Sequence, residues 1–121
     1  MRLNAGILIT KLSETKTFYT QLLDFKIKFE NDFYLLLQTP NGKDSLSFLL
    51  PNHPTQHPMF HDAFAGKGMY LTVEVNNVDA LYARLQQKNA PIKDEDWGKR
   101  HFAIQDPNGI GIDFVTYTEP K

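Results

Sequence analysis

One order of elements occurs twice in this chain, and that repetition limits its fold more than any short motif does. Residues 4–9 are rich in aliphatics and read as a strand. Thr10 and Ser13 then precede a run, 14–23, in which Phe18, Tyr19, Leu22 and Leu23 share one helical stripe, so a hydroxyl N-cap and an amphipathic helix are expected. Three strand candidates follow. Residues 25–30 alternate strictly, 33–38 are almost continuously apolar, and 45–50 come after the turn formers Pro40, Asn41 and Gly42. The first half therefore reads βαβββ.

Residues 51–67 carry three prolines and no sustained period, which marks a connector. The same order then begins again. Residues 69–75 read as a strand, Asn77 as a helix N-cap, and Val78, Leu81, Tyr82 and Leu85 fall at i, i+3, i+4 and i+7. Pro91 to Lys93 can start a short edge strand. Residues 101–105 and 110–117 then flank Asp106-Pro107-Asn108-Gly109, a turn in which each residue has a backbone reason to be present. A ferredoxin-like βαββαβ order would need a helix where the proline-rich connector stands. The expectation is an α+β chain of two βαβββ modules: one domain over 1–121, with modules at 1–50 and 68–121 joined by the connector 51–67.

A chain of 121 residues with 41% hydrophobic side chains can fill one core. Thirteen basic against fourteen acidic side chains leave a net charge of -1, so no global field draws it to nucleic acid or to an anionic membrane. Cysteine is absent, which removes thiolate catalysis and disulfides and suits a reducing compartment. The amino-terminal apolar run is short and soon meets charged residues, so neither a signal peptide nor a membrane span is read there. A cytoplasmic location is expected.

Strand alternation assigns faces. Ile110, Ile112 and Phe114 point toward the helices with Phe102 and Ile104. Asp113, Val115 and Tyr117 point away, with His101, Ala103 and Gln105. The same parity sends Asn4, Gly6, Leu8 and Thr10, then Ser45, Ser47 and Leu49, then Tyr70, Thr72 and Glu74 to the non-helical face. Polar groups interleaved with Leu8, Leu49, Tyr70, Val115 and Tyr117 suit a small-molecule pocket on a twisted sheet, although an antiparallel sheet also tolerates such a face in water. Asp113 and Glu74 would together favour a cationic ligand. Trp97, Lys99 and Arg100 could instead cap an anionic or aromatic one. His101 and Asp113 share a hairpin face and could pair as acid and base. His53, His57 and His61 are spaced as helical metal ligands would be, but Pro54 and Pro58 interrupt that helix and favour an irregular loop.

Three stretches, KLSETKTFYTQLLDFKI, VEVNNVDALYARLQQKNAPI and WGKRHFAIQDPNGIGIDFV, together resemble the vicinal oxygen chelate superfamily of glyoxalases, bleomycin-resistance proteins and extradiol dioxygenases. The resemblance implies an open, cupped mixed sheet with helices on its outer face, and a homodimer. It also implies metal-ligand positions on the first and fourth strands of each module, usually His or Glu, which fall here on Asn4, Ser47, Tyr70 and Asp113. Only Asp113 is a first-rate ligand for a divalent transition metal. No cofactor is therefore expected, and the closest type is the metal-free, bleomycin-resistance-like one, which traps a ligand in its cup. On that reading the ligand-binding residues are Asn4, Ser47, Tyr70, Glu74, Trp97, His101, Asp113 and Tyr117. Two alternatives stay open: a lyase or isomerase using a recruited metal or acid-base catalysis through Asp113 and His101, and a non-catalytic structural or regulatory protein whose cup is filled by Leu8, Tyr70 and Tyr117.

Overall fold

The computed structural model describes residues 1–85 and 90–119. They divide into two compact units, Met1–Lys67 and Gly68–Lys121. Both contain a four-stranded mixed sheet with one helical segment between its first and second strands. No helix among the described residues is long and apolar enough to cross a membrane.

In the first unit β1 (Ala5–Leu8) lies parallel to β4 (Ser45–Leu49), and β3 (Tyr34–Gln38) and β2 (Lys26–Glu30) continue antiparallel, in the order β1-β4-β3-β2. The side-chain period of two puts Ile7, Leu35, Leu37, Leu46 and Phe48 on the helical side, all buried. The helix α1 (Leu12–Thr17) passes into a π turn over Phe18–Leu22, and Tyr19 from that turn packs its ring 5.0 Å from Phe48. One expectation fails here. No hydroxyl caps α1: Lys11 is the N-cap and makes no side-chain cap bond, while Thr15, fully buried, turns its hydroxyl back to the Lys11 carbonyl at 2.6 Å. The alternation of 25–30 does form a strand, β2, but it buries neither face. All five of its residues are exposed, because β2 is the outermost strand and a register shift between Ile27 and Phe29 breaks its pleat. The connector makes one short helical turn, Pro58–Phe60, and the Phe64 N–H donates to the Leu8 carbonyl, so it runs along the free edge of β1.

In the second unit β5 (Tyr70–Glu74) lies parallel to β8 (Gly111–Tyr117), followed by antiparallel β7 (Lys99–Gln105) and β6 (Lys93–Glu95). The helix α2 (Val78–Leu85) is capped as its sequence suggests. Asn77 Oδ1 accepts from the Ala80 N–H at 3.1 Å, and the Val78 N–H is taken by Thr116 Oγ1 at 2.9 Å. Tyr82 from α2 meets Phe102 edge-on, and Phe102 packs on Phe114, so this core repeats the plan of the first. The closing turn is held by Asp106: its Oδ1 accepts from the Asn108 and Ile110 N–H groups, and Gly109 takes φ +82°, a backbone region that glycine occupies without a Cβ clash. β7 begins at Lys99, two residues earlier than the alternation indicated, and this places Lys99 on the sheet face beside Tyr117.

Candidate functional site

The non-helical face of β5, β8 and β7 gathers most of the chemistry. β8 is the second strand of its sheet, and its residues Ile112 to Val115 are buried on both sides. Asp113 is therefore a buried carboxylate, 8% exposed, and burial of a charge demands partners. It has two. Asp113 Oδ1 lies 2.7 Å from His101 Nδ1, and Asp113 Oδ2 lies 2.8 Å from the Lys99 ammonium. A carboxylate can only accept, so the His101 Nδ1 carries the proton and donates it. The other ring nitrogen, Nε2, is 3.4 Å from Glu95 Oε1, and Glu95 in turn meets Lys93 at 3.1 Å. A continuous chain of polar contacts, Lys93–Glu95–His101–Asp113–Lys99, thus crosses the face.

The electrostatics follow from these contacts. The Asp113 carboxylate, by its hydrogen bond first and its charge second, pushes the Lys99 ammonium pKa up against the opposing effect of burial, with Tyr117 and Tyr70 adding to the rise. Lys93 first, and His101 after it, hold the Glu95 carboxyl below the usual range. Lys99 also stands 5.6 Å over the ring of Trp97, within cation–π reach. Trp97, Tyr70 and Tyr117 stay 61%, 66% and 52% exposed, large apolar surfaces left open around a polar centre.

Of the sequence candidates, His101 and Asp113 are brought into direct contact, and Tyr70 and Tyr117 lie close enough to act on the Lys99 charge. Glu74 is exposed on the edge strand β5 and makes no ion pair among the described residues. Arg100 does not join Trp97 and Lys99. It points to the opposite face and forms a bidentate pair with Asp79 of α2, at 2.8 and 2.9 Å, because adjacent strand residues alternate sides. Lys99 and Glu95 as partners of Asp113 and His101 are the residues that sequence reasoning missed. The sign was present in the basic pair before the strand, but the start of β7 decides which of the two faces Asp113.

In the first unit Asn4 and Ser47 also meet: Asn4 Nδ2 donates to Ser47 Oγ at 3.0 Å, and Tyr34, a residue not singled out beforehand, reaches the same oxygen at 2.8 Å. Ser47 is buried and Asn4 exposed. An open cleft of about 440 Å³ lies where the start of α1 faces the β2–β3 turn, lined in part by Ser13, Glu14, Lys16, Glu30 and Asp32. The connector histidines do not converge. His53 stacks on Phe33 at 3.6 Å, His57 Nδ1 accepts from the Met59 N–H, and His61 Nε2 meets the Gln56 carbonyl. Among the described residues no three His, Cys, Asp or Glu side chains are grouped so as to hold a metal ion.

Residues 4–114 match the family model described as the Glyoxalase/Bleomycin resistance protein/Dioxygenase superfamily. No curated protein matches the chain. Similar solved structures include an antibiotic binding protein from a Streptomyces species, 22% identical, with 95% of this chain and 93% of that one covered at a TM-score of 0.71. A glyoxalase/bleomycin resistance protein/dioxygenase from Nocardioides is 18% identical, with 98% and 83% covered at 0.75. Lactoylglutathione lyase from Agrobacterium tumefaciens is 15% identical, with 96% and 92% covered at 0.73. At these identities the likeness is one of fold.

Proposed function

The chain belongs to the glyoxalase/bleomycin resistance protein/dioxygenase superfamily, and from that premise we propose that it is a small-molecule-binding member working without a resident metal, its two modules making one domain. The ligand lies on the non-helical face of β5, β8 and β7, against Tyr70, Trp97 and Tyr117. The observation that carries this reading is the state of Asp113, the one strong ligand among the four positions where the superfamily resemblance places metal donors. Both of its oxygens are already taken, one by an imidazole N–H and one by an ammonium. Ser47 likewise accepts from Asn4 and Tyr34, and the Tyr70 phenol is a poor ligand while protonated. This donor set does not suit a transition metal. The structural likeness to an antibiotic binding protein is consistent with sequestration of a drug or metabolite. A cytoplasmic homodimer is the form in which we propose that it acts.

Two measurements test the reading. Metal analysis after dialysis is expected to find no stoichiometric transition metal, and a thermal-shift screen is expected to find compounds that raise the melting temperature. A tightly held metal whose retention depends on Asp113 would overturn it. The 2.7 Å contact between His101 and Asp113 favours a second reading, acid-base catalysis with Asp113 orienting the ring and Nε2 acting on a bound substrate. Turnover lost in both His101→Gln and Asp113→Asn while ligand binding persists would support that alternative.

A further inference from the structure

The kind of ligand this face accepts follows from which hydrogen-bonding capacity is left over. Asp113 has spent its carboxylate inside the protein, so the buried acid that would draw a cation is unavailable. What the centre turns outward is donors. The Lys99 ammonium has three N–H groups, Asp113 takes one, and no other described residue accepts the remaining two. The side chain of Lys99 is only 15% exposed, and a ligand oxygen can take the place of water on the N–H groups that Asp113 leaves. Tyr70 and Tyr117 lie near that same ammonium, and a phenol hydroxyl is a donor as well. Around this centre stand three exposed aromatic rings, Trp97, Tyr70 and Tyr117. Glu74 supplies a carboxylate that makes no ion pair among the described residues, and it sits out on the edge strand.

We propose that this face selects planar aromatic ligands bearing an acceptor oxygen, a carboxylate or phenolate, with Lys99 as the specificity-determining residue: its ammonium receives the oxygen while the rings stack on the aromatic skeleton. The proposal rests on the small-molecule-binding reading given above. It reverses the preference for a cation that Asp113 and Glu74 suggest when they are taken alone. Asp113 serves as a positioning residue, holding the ammonium in place by one oxygen.

Trp97 is the single tryptophan of the chain, so its emission reports this face directly. The experiment titrates the full-length protein with salicylate, with its neutral counterpart salicylamide, and with benzylammonium. Salicylate is expected to change Trp97 emission saturably, with salicylamide at least about tenfold weaker, the size of a charge-assisted hydrogen bond to an ion. Benzylammonium is expected to be weaker still. Lys99→Gln, checked for folding by circular dichroism, is expected to erase the preference for salicylate over salicylamide. Rising salt is expected to weaken salicylate alone in the unaltered protein, an arm that needs no variant. Benzylammonium binding tighter than salicylate would overturn the inference. So would salicylate and salicylamide binding equally, but that result would leave the small-molecule reading standing. Silence toward all three, together with no thermal shift across a broad compound panel, would sink both.

Discussion

Replacing the Asp113 carboxylate by an amide of the same shape removes one charge from a buried pair and turns one of its two acceptor atoms into a donor. The Lys99 and Asp113 side chains are 15% and 11% exposed and their charged atoms are 2.8 Å apart. Breaking a fully buried pair costs about 3–5 kcal/mol, because the surviving ion is stranded. Here the lysine stem is flexible and some water reaches both groups, so a loss of about 2 kcal/mol is expected for Asp113→Asn. That corresponds to a fall in melting temperature of roughly 8 °C for a domain of this size. Lys99→Met leaves the carboxylate its His101 bond and is expected to cost about 1 kcal/mol. The double variant is the decisive one. If the pair acts as a unit, the two losses fail to add, and a coupling of about 1 kcal/mol remains in a denaturation cycle. Its pH dependence has a definite sign. The folded ammonium pKa is raised above the ordinary 10.5, so the coupling is full below pH 10.5 and vanishes as pH climbs through the higher folded value. Losses that add to within about 0.4 kcal/mol at neutral pH would refute the claim that Lys99 is the partner holding Asp113.

Asn77→Ala removes the acceptor of the Ala80 N–H and is expected to cost about 1 kcal/mol by urea denaturation, whereas Asn77→Asp is expected to be nearly neutral. Phe48→Ala, at a fully buried site in contact with Tyr19, is expected to cost about 3–5 kcal/mol, while Phe29→Ala on the exposed strand β2 is expected to change stability by less than about 0.5 kcal/mol. Arg100 holds the Asp79 carboxyl below its ordinary 3.8, by hydrogen bonding before charge, so this pair supports the fold above pH 3.8 and ceases to as pH falls through the lower folded value. Acid unfolding curves of the unaltered protein and Asp79→Asn are accordingly expected to differ near neutrality and to converge at low pH.

The repeated βαβββ order could be read from the chain because it depends on local signals: turn residues that punctuate, apolar residues at periods of two and 3.6, and the Asn77 cap. Where the reading failed, the deciding term was not local. Residues 25–30 alternate as well as any strand in the chain, yet β2 buries neither face, since alternation says which residues share a side and not whether anything covers that side. Ser13 looked like a cap, but the backbone turns at Lys11 and the hydroxyl that matters is on Thr15. The pairing of His101 with Asp113 was open to parity, which put both on one face. The choice of Lys99 over Arg100 was not. It required the first residue of β7 and the cross-strand register, both set by the turn at Gly98, whose φ of +101° ends one strand and starts the next.

The cation seated on Asp113 is attached to the backbone by its own side chain. An ion taken up from solution has a dissociation constant, and its occupancy follows supply, dilution and any competing chelator. A tethered ammonium has none of these dependences. Every copy of the chain carries it at one equivalent from synthesis, and Asp113 meets it at an effective concentration set by a four-carbon stem instead of by the surroundings. The tether fixes its kind as well as its number, so the cation seated on Asp113 changes only with the codon at position 99.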